Sequence, residues 1–341
     1  MPTAVLCLCL GAALSRHRRP PFALSRLLAF ICVVLVACLV SGSPSLRPTI
    51  ASKYATPVEA LSAADRTLLA SLSTFVPPSV AHTGATGFDE HLHGVYLLLK
   101  GSGAPESTQK AGLYHSVYGT EGFQGYSISL SRRGEVQRAI GEQAEALAFT
   151  FCVVDRAAVD EQVGLLHDAL AASGRLPGPP PDGVRLRSRP ELGNFDIVLT
   201  APEFLAFLEL SLADWLEQVE GASERANPLF HWGAGEAWAY RRTAYRAMAD
   251  ILAAADPGRL GGAKAVYAEV FSAEGRETQT LVQARTPPMS GAARDARVAM
   301  RAAAGEGGGE EEGGYGPKRD LEAFARSRIR GAANHRAMPD L

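Results

Sequence analysis

The sequence has 341 residues, 47% of them hydrophobic, and its 34 basic and 36 acidic side chains give a formal net charge of −2. This balance lacks the basic bias of nucleic-acid-binding proteins, so we expect no nucleic-acid partner. The length suits one large domain or two modest ones. Four of the five cysteines precede residue 39, which leaves no disulfide framework in the rest of the chain.

Residues 1–45 have the layout of a targeting segment. Basic residues are frequent between positions 16 and 26, an uncharged apolar run follows at 27–40, and the next residues, SGSPS, are small and polar. This order predicts a signal peptide. Two interpretations stay open: cleavage after Gly42, or retention as a membrane anchor through residues 21–41. The long basic region also leaves a two-step organelle import leader open. We expect a membrane or secretory localisation.

Helical periodicity predicts an all-α domain over residues 57–285. The clearest helix runs from Glu135 to Asp155, and the residues TAPE at 200–203 form a capping-box pattern that begins another helix. Alternating apolar residues at 195, 197 and 199 predict one small β-hairpin. Residues 286–341 are rich in Gly and Glu and predict a disordered tail.

Two histidines and one aspartate are the candidate metal ligands. His91 begins one predicted helix, and His115 lies 24 residues later in the next. An antiparallel helix pair with a short loop would bring both imidazoles inward, and Asp155, on the apolar side of a third helix, would supply an oxygen. Such a set suits a first-row divalent ion, so we expect Mn or Fe, or Zn. The alternative is a pair of hydrogen-bonded core histidines without a metal.

This layout resembles that of the HD-type phosphohydrolases, and its spacing is most similar to the guanosine-tetraphosphate hydrolase branch. The residues GLYHSVYGT occupy the place of the second family motif, with Ser116 where the family has the aspartate of its His-Asp pair and Gly119 where the branch has an acidic residue. The resemblance implies an HD-like helical bundle. It also implies that His91, His115 and Asp155 are the metal ligands.

A second resemblance is to an uncharacterised family, a domain of unknown function. It depends on long blocks that include HLHGVYLLLKGSGAP, AGLYHSVYGTEGF and LADWLEQVE, and it extends from about His82 to Pro288. It implies an all-α fold and carries no activity.

The remaining candidate site residues follow from these patterns. Tyr118, Thr120 and Glu145 are candidate catalytic residues that would line the pocket, although Glu145 lies off the apolar stripe and could be exposed. Arg132, before a predicted helix, and Arg156 are candidate substrate-binding residues.

Two functions follow from the sequence. The first is a divergent HD-like metal-dependent phosphohydrolase acting on a phosphorylated small molecule or nucleotide. The second is a non-catalytic α-helical module that binds a ligand or a protein partner and has lost the metal site.

Overall fold

The computed structural model describes residues 49–78, 80, 82, 87–123, 125–224, 226 and 233–285. The predicted leader (1–45) and tail (286–341) lie outside these residues. Where the chain is described, none of its helices combines the length and the apolar character needed to cross a membrane.

The fold is mostly helical, with one small hairpin, as predicted. The α-helices are α1 Ala63–Ser71, α2 Phe88–Gly101, α3 Glu106–Tyr114, α4 Arg133–Ile140, α5 Glu142–Val153, α6 Arg156–Ser173, α7 Ala201–Ser223, α8 Arg242–Ala255, α9 Gly261–Ala273 and α10 Arg276–Arg285. Short 3₁₀ helices span Ala51–Tyr54, Val58–Ala60, Leu72–Thr74, Leu130–Arg132, Pro190–Leu192 and Ala239–Arg241.

Local sequence signals set several helix ends. Thr200 accepts a hydrogen bond from the backbone N–H of Glu203, whose carboxylate accepts one from the backbone N–H of Thr200, so the predicted capping box begins α7. The predicted single helix 135–155 is wrong as one unit. Gly141, at φ +89°, ends α4 and begins α5. A side chain at this φ would be strained, so glycine is the residue that permits the break.

The hairpin pairs β1 (Val184–Arg187) with β2 (Asp196–Leu199) in an antiparallel register that places Val184 opposite Leu199. Alternate residues of each strand are buried. The hairpin therefore covers one edge of the helical core, where β1 contacts α6.

Helix α7 is the central element of the core. It contacts α2, α3, α5 and α8, and it buries Phe204, Phe207 and Trp215 almost completely. Polar residues in the middle of α7 consequently lie among the surrounding helices rather than in open solvent.

Helices α2 and α3 form the predicted antiparallel pair, connected by residues 102–105. They approach closely at Gly112, where an added Cβ atom would lie 2.4 Å from Leu99 Cδ1. Because α2 begins where α3 ends in space, a residue at the start of α2 lies beside a residue just after α3.

Candidate metal site

Three helices bring His91, His115 and Asp214 together. His91 lies in the first turn of α2, His115 directly follows the last residue of α3, and Asp214 lies in the middle of α7. The imidazoles are 0% exposed, whereas the side chain of Asp214 is 17% exposed. Because their ligand atoms could hold a metal ion, we call these three residues the candidate metal site, shortened below to the metal site.

The three potential ligand atoms form a nearly equilateral triangle. His91 Nε2 and His115 Nε2 are 3.3 Å apart, and each lies 3.1 Å from Asp214 Oδ1. Ligand atoms about 2.1 Å from one ion lie about 3.0 Å apart at right angles and about 3.4 Å apart at tetrahedral angles. The observed edges fall between these values, so the donor atoms fit one first-row divalent ion without rearrangement.

The outer nitrogens of both imidazoles are already engaged. His115 Nδ1 lies 2.7 Å from the carbonyl oxygen of Gly112, and His91 Nδ1 bonds to Glu217 Oε2. A carbonyl oxygen only accepts, so Nδ1 of His115 carries a hydrogen, and Nε2 of the same ring faces Asp214 Oδ1. Metal-bound histidines in proteins typically have this outer arrangement.

Helix α7 also supplies the groups that orient Asp214 and His91. Gln218 Nε2 donates to Asp214 Oδ1 over 3.0 Å. Glu217 follows Asp214 by three residues and therefore lies on the same side of the helix. An added Cβ atom at Gly94 would lie 2.7 Å from Glu217 Cγ, so this glycine of α2 leaves the space that Glu217 fills.

The electrostatics of the site favour added positive charge. Burial opposes protonation of His91, but Glu217 and Asp214 outweigh it and raise its pKa to about 9. Burial would raise the pKa of Asp214, yet His115 and His91 hold it well below its usual range. Asp214 is thus ionised, and the cluster holds a proton or a cation opposite it.

His82 lies next to this cluster. Its ring stacks on His91 with a centroid distance of 4.2 Å and also contacts Phe123. Burial and the neighbouring charge of His91 lower the pKa of His82 to about 2, so His82 stays neutral and does not add a second cation.

The predicted ligand Asp155 requires a correction. It is the N-cap of α6, where its Oδ1 accepts the backbone N–H of Ala157 over 2.8 Å, and it is not one of the three clustered ligands. Asp214 is the carboxylate that lies with the two imidazoles.

Tyr118 and Glu145 belong to a second buried cluster, which we call the Glu145 network. The Tyr118 hydroxyl donates to Glu145 over 2.9 Å, Arg133 donates to both carboxylate oxygens over 2.6 and 2.7 Å, and Gln137 donates over 3.1 Å. Glu145 is 0% exposed, so the expectation that it could lie at the surface is wrong. Burial, with help from Glu145, raises the pKa of Tyr118, which stays a phenol.

Thr120 serves a local turn. Its hydroxyl accepts the backbone N–H of Phe123 over 3.0 Å, and the backbones of the two residues exchange hydrogen bonds. The turn continues the segment that carries His115. The catalytic roles of Tyr118, Thr120 and Glu145 stay predictions.

The two predicted substrate-binding arginines have different surroundings. Arg132 pairs with Glu135 over 2.9 Å and lies over the ring of Phe75. Arg156 lies 3.9 Å from the ring centroid of Phe151, whose ring in turn contacts His115 edge-to-face at 4.9 Å. Of the two, Arg156 is therefore the one adjacent to the metal site.

Sequence reasoning missed Asp214 and the role of Glu217. The signal was the stretch LADWLEQVE, in which three acidic residues, Asp214, Glu217 and Glu220, follow one another at intervals of three positions. Acidic side chains are rarely placed in the middle of a buried helix without a positive partner. That rule draws attention to all three, and the structure places Asp214 and Glu217 beside the imidazoles.

Comparison with known protein families finds one matching region. A sequence profile described as a domain of unknown function, DUF6817, matches residues 71–156, from the last residue of α1 to the first of α6. The match includes His91 and His115 and ends before Asp214. No curated protein and no solved structure gives a significant match, and none of the comparisons supports a likeness to HD-type phosphohydrolases. Residues 71–156 of the chain are therefore similar to the domain described as DUF6817.

Proposed function

We propose that this chain is a metal-dependent phosphohydrolase with a divergent HD-like site, in which His91, His115 and Asp214 hold a Mn or Fe ion, or Zn. The observation that carries the proposal is the triangle of three ligand atoms with edges of 3.1, 3.1 and 3.3 Å. Two imidazole nitrogens and one carboxylate oxygen suit these metals.

Three protein ligands leave coordination positions for other groups. An ion held there would polarise a phosphoryl oxygen and acidify water near neutral pH. The chain's own residues orient the ligands: Glu217 fixes the ring of His91, the Gly112 carbonyl fixes that of His115, and Gln218 fixes Asp214. Fixed ligands reduce the reorganisation required when charge develops in the transition state.

The site diverges from the HD pattern at the residue after the second histidine. Ser116 takes the place of the aspartate and is buried. Asp214 is therefore the single carboxylate among the three clustered ligands. A site with one carboxylate ligand carries less negative charge than the HD site, which favours binding of a phosphate group near the ion.

A pair of aspartate variants tests the proposal in the full-length chain. Bound metal is measured by elemental analysis after loading with Mn, Fe or Zn, and phosphate release is measured on a panel of phosphate esters. Asp214→Asn should lose both the metal and the activity. Asp155→Asn should keep both, since asparagine is as good an N-cap as aspartate and the helix end stays satisfied.

His115→Ala and His167→Ala provide a second matched pair. His115 is one of the three clustered ligands, whereas His167 bonds to Asp250 outside the cluster, so only His115→Ala should lose the metal. A chain that holds no metal at any loading contradicts the enzyme and leaves the alternative, a non-catalytic ligand-binding or interaction module. Stoichiometric metal without phosphate release from any ester would support the metal site and contradict the phosphohydrolase.

A further inference from the structure

The guanidinium of Arg156 differs from the other inward-facing arginines in its pairing. Its Nη2 donates one long hydrogen bond, 3.4 Å, to the carbonyl of Phe151, and its plane covers the Phe151 ring. Within the described residues, no carboxylate oxygen lies within 4.0 Å of its nitrogens. The side chain is half-buried, so part of its surface faces an accessible space.

Three other arginines of the core have close carboxylate partners. Arg133 pairs with Glu145 over 2.6 Å, Arg241 with Asp160 over 2.6 Å, and Arg242 with Glu274 over 2.6 Å. Partly buried arginines are usually paired because desolvation of an unpaired charge is costly. Among the described residues, no carboxylate pairs with the Arg156 guanidinium to offset this cost, which calls for a reason.

The position of Arg156 supplies that reason. The ring of Phe151 contacts both its guanidinium and the ring of His115, and the charge of Asp214 is close enough to act on it. Burial and the neighbouring Arg241 lower the pKa of Arg156, but an arginine stays charged at any physiological pH. A fixed positive charge thus stands one aromatic ring away from the metal site.

We propose that Arg156 binds an anionic group of the substrate other than the group that reacts at the metal, either a phosphate or a carboxylate. This inference rests on the proposed function. The planar guanidinium presents paired N–H donors that match the oxygens of either group, and the Phe151 ring holds that plane in place. The substrate would then span the distance from Arg156 to the metal site and carry two anionic groups.

The backbone around Arg156 holds the side chain in position. Its own N–H donates to Glu121 Oε2 over 3.1 Å, and the preceding residue, Asp155, caps α6. The helix end is thereby satisfied by carboxylates from the protein. The anion would bind to the side chain of Arg156 rather than to the helix N-terminus.

Three probes of known composition test the inference on the metal-loaded full-length chain: orthophosphate, pyrophosphate and phosphonoacetate. The first has one anionic group, the second has two phosphates, and the third pairs a phosphonate with a carboxylate. Binding is measured by calorimetry on the wild type, Arg156→Gln and Arg156→Lys, with exposed Arg175→Gln as the control. Metal content and thermal unfolding are measured on each variant first.

Arg156→Gln should keep the metal and bind orthophosphate as the wild type does. It should bind the two-group probes about 10- to 100-fold more weakly, the range expected for loss of a charged hydrogen bond. Arg156→Lys should recover part of the loss. A loss confined to pyrophosphate identifies the second group as phosphate, and a loss confined to phosphonoacetate identifies it as carboxylate.

The inference falls if Arg156→Gln holds stoichiometric metal and binds all three probes like the wild type, or if it weakens all three equally. If the wild type holds no metal, the proposed function fails separately. Pyrophosphate and phosphonoacetate are then titrated into the metal-free chain. A loss specific to Arg156→Gln still supports the anion site, and equal binding by all variants overturns it.

Discussion

The segment after α3 contributes to two buried polar clusters, His115 to one and Tyr118 to the other. The hydrogen-bonding groups of the two clusters are satisfied in different ways. In the Glu145 network, each carboxylate oxygen accepts two hydrogen bonds, and the negative charge meets the positive charge of Arg133. In the metal site, the two Nε2 atoms and Asp214 Oδ1 all lie within 3.3 Å of one another. All three atoms are potential ligands of one metal ion.

The two clusters differ in how far their hydrogen-bonding groups are satisfied by the protein itself. The two carboxylate oxygens of Glu145 are each bonded twice within the protein, so the network connects α4 and α5 to the segment that follows α3. In the metal site, Gln218 donates to Asp214, and the outer nitrogens of the imidazoles face Glu217 and the Gly112 carbonyl. Among the three potential ligand atoms themselves, a proton or a cation supplies the positive charge that faces Asp214.

The largest expected effect comes from a substitution in the Glu145 network. Glu145→Gln leaves Arg133 without its charged partner and places an amide N–H₂ against the Arg133 donors. Breaking a buried ion pair by removing one partner costs about 3–5 kcal/mol. We expect the free energy of unfolding to fall by that amount in urea denaturation, with or without metal.

Glu142→Gln is the control for that change. Glu142 lies on the same helix, three residues earlier, and is exposed, so its neutralisation should change the free energy of unfolding by less than about 0.5 kcal/mol. Equal effects of the two variants would mean that the Arg133 contacts add nothing to stability.

The next effect concerns the group that orients His91. Glu217→Gln keeps the shape of the side chain and removes the negative charge that attracts the proton on His91 Nδ1. Loss of such an outer partner typically weakens metal binding 10- to 100-fold. We expect this loss in competitive titrations with a metal chelator. The metal-free chain should also lose stability below about pH 9, because Glu217 is the main group that raises the pKa of His91. Glu224→Gln, exposed just after α7, should bind metal like the wild type.

A rise in pH should increase the metal affinity and decrease the stability of the metal-free chain. The pKa of His91 is raised from 6.5 to about 9, so between these values the metal-free site carries a proton that a metal ion must displace. The metal affinity should therefore rise about tenfold per pH unit up to about pH 9. Affinity that is constant from pH 6.5 to 9 would contradict the assignment of His91 as a ligand.

The stability of the metal-free chain should fall as the pH rises. A raised pKa in the folded state contributes stability that is fully present below the unfolded-state value near 6.5 and is lost as the pH rises through about 9. Urea denaturation of the metal-free chain should show this decline. Metal-loaded chain should show none of it, because the ion has already replaced the proton.

Much of the fold could be predicted from local patterns. The spacing of Leu92, Val95, Tyr96 and Leu99 gave α2, and the capping box at Thr200 gave the start of α7. These signals act over four residues or fewer. The break at Gly141 was missed because the apolar spacing continues from Ile140 to Ala144 across it.

The candidate site could be predicted only in part, for a related reason. His91 and His115 lie on adjacent helices of one hairpin, so their meeting follows from a short loop. Asp214 is 99 residues beyond His115, and its position beside the imidazoles depends on how α7 packs across α2 and α3. Asp155 and Asp214 both lie at apolar positions in the sequence, and only the tertiary packing distinguishes them.

The smallest expected effect tests the space between α2 and α7. Gly94 lies inside α2, where alanine would raise helix propensity by about 1 kcal/mol. Its Cβ would, however, lie 2.7 Å from Glu217 Cγ, so Glu217 must move away from His91. We expect Gly94→Ala to leave stability nearly unchanged and to weaken metal binding less than Glu217→Gln does. Adding Gly94→Ala to Glu217→Ala, where no long side chain remains, should stabilise the helix without further loss of metal. If metal binding instead falls equally in both backgrounds, Gly94 acts on the site by a route other than Glu217.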